Sequence, residues 1–266
     1  MNHPMRTVNA VPTPAAYIGG KRSLAKRIAG MIAQIPHETY AEAFVGMGGV
    51  FLKRTAAPKA EVINDFNGEV ANLFRILQRH YPQFVEMLRF QITSRREFER
   101  LKATDPGTLT DLERAGRFLY LQRLAFGGKV AGQNFGVRVD RAAPFDLTRL
   151  APMLADIHDR MAGVTIENLR WQDFLGRYDA AGTLFYLDPP YFGSETDYGA
   201  ALFGRDQFAE MADRLARLKG RFILSINDVP EIRAVFSAFP CQPVSLTYGV
   251  SASGPTQARE LIICDR

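Results

Sequence analysis

Asp188-Pro189-Pro190-Tyr191 brings a carboxylate, two imino acids and an aromatic ring into four consecutive positions. Two prolines in a row fix φ and remove two N–H donors, and Pro189 also restrains Asp188 to extended backbone. The segment therefore offers acceptors only, the Asp188 carboxylate and the Pro189 carbonyl, with the Tyr191 ring beside them. Those parts suit a planar heterocycle carrying an NH2 group. The acceptors take its two hydrogens while the ring stacks on its face. Drawing electron density toward the amine nitrogen aims its lone pair at an electrophile. Attack on a sulfonium methyl needs no strong base, because the proton leaves during or after transfer. A turn after a strand also uses Asp and Pro, but it has no need of the doubled proline and the aromatic together.

Two further segments could border such a site. Glu42-Ala43-Phe44-Val45-Gly46-Met47-Gly48-Gly49 reads as a strand-to-helix glycine loop, in which glycines permit tight turning and close backbone approach to a ligand. It lacks the third glycine of a dinucleotide fingerprint, since Phe51 stands there. A nucleoside without a pyrophosphate fits better. Asp65 follows Gly46 by 19 residues, near the roughly 20-residue spacing at which an acid meets ribose hydroxyls. Tyr17-Ile18-Gly19-Gly20-Lys21 is not a phosphate-binding Walker loop, because Ala15 and Arg22 stand where that loop needs Gly and Ser or Thr. Taken alone, Lys21 reads as a solvated lysine opening a helix.

These residues need elements to position them. Thr183–Leu187 is a short apolar run leading directly into Asp188, and ligands of open α/β sheets bind beyond the carboxyl ends of strands. Thr39–Val45, Glu61–Asn64, Val164–Ile166, Arg221–Ile226, Val244–Tyr248 and Glu260–Cys264 read as further strands. Helical spacing marks 21–34, 67–79, 109–123, 208–218 and 229–239, and a short helix is expected over 50–55. Strand–helix alternation implies an α/β, doubly wound and mostly parallel sheet covered on both faces. From about residue 82 to 124 the pattern is helical without strands, and a glycine-rich loop or hairpin follows over 125–145. The expected organisation is a catalytic domain over 15–81 and 147–266, interrupted by a helical and basic insertion at 82–146. Residues 1–16 read as a loose leader.

Bulk properties narrow the class. A chain of 266 residues with 47% hydrophobic and 23% charged residues is ordinary for a globular protein. No apolar run approaches the roughly 18 residues that span a bilayer, and no metal-like spacing is visible. Cys241 and Cys264 read as buried thiols of a reducing cytoplasm. The net charge of +5 gains meaning from clustering, with Arg95, Arg96, Arg100, Lys102, Arg114, Arg117, Arg123 and Lys129 all in the middle third. Arg123 and Lys129 can reach phosphates or base edges. Phe126, among glycines, reads either as a wedge between base pairs or as a cap on the core.

In its ordered set of motifs the chain resembles the Dam-type DNA adenine-N6 methyltransferases. The matching elements are Tyr17 to Lys21, the E-x-F-x-G-x-G loop Glu42 to Gly48, Asn64-Asp65-Phe66-Asn67, Tyr120-Leu121-Gln122-Arg123, Asp188 to Tyr191, and Ser225 to Asp228. The resemblance implies a Rossmann-like methyltransferase fold, S-adenosylmethionine as cofactor, and double-stranded DNA as substrate with the target adenine flipped out. It implies that Tyr17, Phe44, Gly46 and Gly48 line the cofactor pocket, with Lys21 near the methionine carboxylate and Asp65 on the ribose hydroxyls. Asp173-Phe174 resembles the family's D-F element beside the cofactor adenine. Asp188, Pro189, Pro190 and Tyr191 should hold the target base, with Asp188 also bordering the cofactor, and Arg123, Phe126 and Lys129 should belong to the DNA interface. Gln122 departs from the family's usual Asn, and 129–144 is only loosely like the hairpin of GATC-reading members. A monomer or weak dimer in a bacterial or phage-infected cytoplasm is expected, without metal or membrane. The other readings kept open are an RNA-adenine or cytosine-N4 methyltransferase and a catalytically silent nucleic-acid-binding protein on the same fold. Phe51 disfavours a nicotinamide-dependent oxidoreductase.

Overall fold

The computed structural model describes residues 5–17, 19–21, 23–130, 132–136, 140, 142–193, 203–251 and 254–265. The described part of the leader, from residue 5, is not loose. Arg6–Thr7 forms a short strand (β1), Val11 is buried, and the Val11 amide donates to the Leu52 carbonyl at 2.8 Å. Helix α1 spans Ala25–Gln34 and buries Ala25, Ile28 and Ile32 on one stripe. Strand β2 follows at Thr39–Glu42.

The helix expected over 50–55 is a single 3-10 turn, Phe51–Lys53. Arg54 ends it by turning inward to the buried carboxylate of Glu61, so the chain goes extended rather than continuing the helix. Strand β3 (Ala56–Ala57) then pairs antiparallel with β1, and β4 runs Ala60–Asn64. Helix α2 (Gly68–Arg79) starts at Asn67, whose side chain accepts the Glu69 amide; such a cap satisfies one of the donors a helix start leaves open.

The middle third is helical, as its pattern predicts. It holds α3 (Tyr81–Leu88), α4 (Arg95–Ala103, capped by Ser94) and α5 (Asp111–Leu124). Helix α5 opens on a reciprocal capping box between Thr110 and Glu113. Phe84, Leu88, Phe98, Leu119 and Leu124 of this region share one buried cluster with Ile28, Leu73 and Leu154. The helical region therefore docks through apolar packing onto the α1/α2 side of the sheet, rather than standing apart.

Two helices went unread in the sequence, α6 (Leu147–Arg160) and α7 (Trp171–Tyr178), on either side of β5 (Thr165–Glu167). Strand β6 is Thr183–Leu187, every residue of it buried. The chain closes with α8 (Asp206–Leu215), β7 (Arg221–Asn227), α9 (Pro230–Val235), β8 (Cys241–Ser251) and β9 (Gly254–Cys264). Cys241 and Cys264 are half-buried free thiols, less enclosed than their apolar neighbours suggest.

The main sheet has the order β5-β4-β2-β6-β7-β9-β8. Its first five strands are parallel, and β9 joins β7 and β8 antiparallel. From β2 the chain builds outward through β4 and β5, then returns to start β6 on the other side of β2. The sequence order reverses between β2 and β6, and the crevice at such a reversal is where doubly wound sheets bind ligands. No helix of the described residues is long and apolar enough to cross a membrane.

Candidate active site

Four parallel strands deliver their carboxyl ends to this crevice. Beyond β2, Gly46 and Gly48 adopt left-handed backbone with φ of 49° and 74°, a region that L side chains rarely adopt. Space is equally restrictive. A Cβ on Gly46 would stand 3.1 Å from the Tyr17 ring, and one on Gly48 would stand 2.9 Å from Leu52. Tyr17 thus lies on the turn itself, which explains why the first motif and the glycine loop belong to one site. Ile18, next to Tyr17 in the first motif, lies outside the described residues.

Asp65 leaves the end of β4 and reaches back to the same loop. Its carboxylate accepts the Gly46 amide at 2.9 Å and the Asn67 amide at 2.9 Å. Burial pushes its carboxyl up to about 6, against the pull of those two amides. Asn64 next to it donates to the carbonyls of Ala43 and Leu169 and accepts the Leu169 amide. This one side chain locks the ends of β2 and β4 to the turn before α7. Sequence reading passed Asn64 over, although it opens the Asn-Asp-x-Asn motif. Phe44 is half-buried with its ring edge-on to Phe203.

Asp188 follows β6. Its Oδ1 lies 2.7 Å from Lys21 Nζ and 3.3 Å from Ser225 Oγ, and Ser225 shares a further hydrogen bond with the buried Tyr186 hydroxyl. Lys21 is only 3% exposed. Besides Asp188 it donates to the Tyr191 hydroxyl at 2.7 Å and lies 3.4 Å from Glu260 Oε2. The Tyr191 hydroxyl in turn donates to Glu260 Oε1 at 2.5 Å. Burial pushes the Asp188 carboxyl up to about 6; Lys21 opposes this and Glu260 adds to it. Asn227, at the end of β7, accepts the Phe192 amide and donates to the Phe192 carbonyl, which fixes the backbone leaving Tyr191.

Several site expectations change in this geometry. Lys21 is not solvated; its amine is held among Asp188, Tyr191 and Glu260. Phe174 is fully buried against Phe185 and Tyr178, so its ring serves the core, while Asp173 is exposed in the first turn of α7. Arg123 donates to the Pro144 carbonyl through Nε and Nη2 and to the Pro14 carbonyl through Nη1. It clamps the leader to the end of the helical region. Arg100, Arg114 and Arg117 are likewise engaged, with Glu97, with Glu69, and with the Leu101 and Lys102 carbonyls. The basic cluster is therefore partly internal structure.

Phe126 and Lys129 do face outward. Phe126 is 69% exposed and sits on a narrow antiparallel bridge between Ala125 and Phe135; with Asn134 and Phe135, the two residues line a surface cleft. Gln122 is buried beneath, and its amide donates to the carbonyls of Ala16 and Gly128. The departure from Asn thus joins the loop to the residue before Tyr17.

Comparison with known proteins accounts for the order of these motifs. The sequence model of the D12 class N6 adenine-specific DNA methyltransferases matches residues 17–249. The chain belongs to this family. Among curated relatives, the type II methyltransferase M1.LlaDCHI of Lactococcus lactis subsp. cremoris is 26% identical, covering 93% of each chain. The type II methyltransferase M.CviBI of Paramecium bursaria Chlorella virus NC1A is 20% identical over 83% of this chain and 85% of the relative. The DNA N-6-adenine-methyltransferase of Escherichia phage P1 is 28% identical over 81% of this chain but only 30% of its own length. Membership in an adenine-specific DNA family sets aside the RNA, cytosine and oxidoreductase readings.

Proposed function

We propose that Asp188, Pro189, Pro190 and Tyr191 hold a flipped-out adenine of duplex DNA, and that S-adenosylmethionine binds along Tyr17, Phe44, Gly46, Gly48 and Asp65. The observation that carries this reading is the Asp188 carboxylate, fixed at the reversal point of the sheet beside the doubled proline and the Tyr191 ring. The cofactor fits the first half of the crevice. The left-handed glycines let the turn close against Tyr17 and Leu52 with no Cβ in the way, and Asp65 supplies the carboxylate that ribose hydroxyls need. When bound, S-adenosylmethionine supplies a methyl group made electrophilic by its sulfonium.

The protein's part is to orient the amine and receive a proton. The Asp188 carboxylate and the Pro189 carbonyl accept the two amine hydrogens, which directs the nitrogen lone pair away from them. A carboxyl pushed up to about 6 is ionised at neutral pH and is more basic than an ordinary aspartate. It can take the proton that the nitrogen sheds once it carries the methyl. Residues 82–146 form the DNA-recognition insertion, with Phe126 and Lys129 as its outward contacts. Arg123 supports that surface from below.

Asp188→Ala tests the assignment. Single-turnover methyl transfer should fall on the order of 10²–10³-fold, the usual cost of losing one preorganised partner of the developing charge. Calorimetry should show S-adenosylmethionine binding retained. Near-normal transfer in this variant would end the assignment of Asp188 to the target amine.

A further inference from the structure

We propose that Glu260 is a positioning residue of the methyl-transfer site, a second anion that lets Lys21 give up Asp188 when the target amine arrives. This rests on the adenine reading of Asp188 given above. Lys21 Nζ is 2.7 Å from the same carboxylate that the amine must use. An amine hydrogen aimed at Oδ1 competes there with Lys21 and Ser225, and Lys21 has no route to water because its side chain is buried. A buried ammonium leaves one carboxylate only if another is at hand.

Glu260, 1% exposed on β9, is that carboxylate. Its Oε2 lies 3.4 Å from Nζ, near enough that a displacement below one ångström changes Lys21's partner. Its Oε1 receives the Tyr191 hydroxyl at 2.5 Å, so the ring expected against the base is anchored to the same group. The Lys21 ammonium also lies 4.2 Å from the centre of that ring. Glu260 thereby joins the lysine's position to the ring's position. The groups whose charge or polarity reaches Asp188 are Lys21, Glu260, Ser225, Glu42 and the Tyr186 hydroxyl. Of the three carboxylates, Asp188 and Glu260 touch Lys21, whereas Glu42 is bonded to Tyr40 at 2.6 Å.

The test compares Glu260→Gln, Glu260→Asp and Tyr191→Phe with the wild type. With Gln at 260, Lys21 has Asp188 as its sole anion and competes with the amine. Single-turnover transfer should fall about 100-fold, the scale expected of a misplaced reacting group, with S-adenosylmethionine affinity unchanged. The acid limb of the pH–rate profile should move to lower pH, because a like charge near Asp188 is gone. Asp at 260 keeps the charge and should recover part of the rate. Tyr191→Phe should lower the rate in the same direction and add little to Glu260→Asp, which keeps the proposal testable if the Gln variant does not fold. A carbon-13 titration of the Asp188 carboxyl, assigned with Asp188→Asn, reads the coupling without any turnover. An Asp188 midpoint equal in wild type and Glu260→Gln, or transfer within about threefold of wild type, would overturn the proposal. Absence of N6-methyladenine with the wild type would instead overturn the adenine reading, and the titration would still decide the role of Glu260.

Discussion

Asp65 and Asp188 stand at the ends of β4 and β6, the two strands flanking β2, and burial pushes both carboxyls up to about 6. They are held in different ways. Asp65 is gripped by two backbone amides, whose positions follow from the turn after β2 and the start of α2. Asp188 is gripped by a buried ammonium, itself shared with Glu260 and Tyr191. A backbone grip is geometric and fixed, which suits the proposed ribose contact. An ion-pair grip can be exchanged, which suits the proposed transfer of Lys21 from Asp188 to Glu260.

The largest effect that should separate the two is on folding. Lys21→Met leaves Asp188 and Glu260 buried without their cation, and stability in urea should drop by about 3–5 kcal/mol. A loss below about 1 kcal/mol would mean that water enters the cluster, and the contrast with Asp65 would fail. Next in size is the cofactor side. Asp65→Ala should weaken S-adenosylmethionine binding by about 10–100-fold, the range for a hydrogen bond to a charged group. In the wild type, that affinity should decline as the pH falls below about 6, where Asp65 takes up its proton.

The same raised values act on stability with a definite sign. Folding favours the protonated form of both groups, so their contribution falls as the pH rises from about 4 to about 6 and is level above that. Asp65→Asn should flatten its share of this slope in thermal melts. The smallest effects lie outside both carboxylates. Lys129→Ala should reduce the salt slope of DNA binding by about one. Phe126→Ala should cost under about 0.5 kcal/mol of stability because the ring is exposed, while DNA binding weakens. A variant that melts well below wild type yet binds DNA normally would return Phe126 to the core.

Much of this arrangement was legible from local chemistry. Thr183–Leu187 read correctly as a strand because four consecutive apolar residues, Leu184 to Leu187, ahead of Asp188 and a doubled proline permit few other structures. What escaped was set by distant partners. Nothing near Lys21 in the chain announces a buried ammonium; its anions come from β6 and β9. Glu260 looked like one end of a late strand, and only the antiparallel pairing of β9 with β7, which sets it opposite Asn227, carries it to the crevice. Arg123 fits a basic interface by sequence, and the carbonyls that claim it lie 109 and 21 residues away. Helix α6 was obscured by Pro152 within it, a residue that ordinarily reads as a break.

The Lys21–Glu260 contact joins residues near opposite ends of the 266-residue chain. During synthesis at 5–20 residues per second, Lys21 is complete on the order of ten to fifty seconds before Glu260 exists. The helices that share the first core have most of their partners by residue 164 and can consolidate early. The amine of Lys21 must meanwhile stay in water, since contacts of such long sequence separation form late. The crevice therefore becomes dry only after β9 has been made.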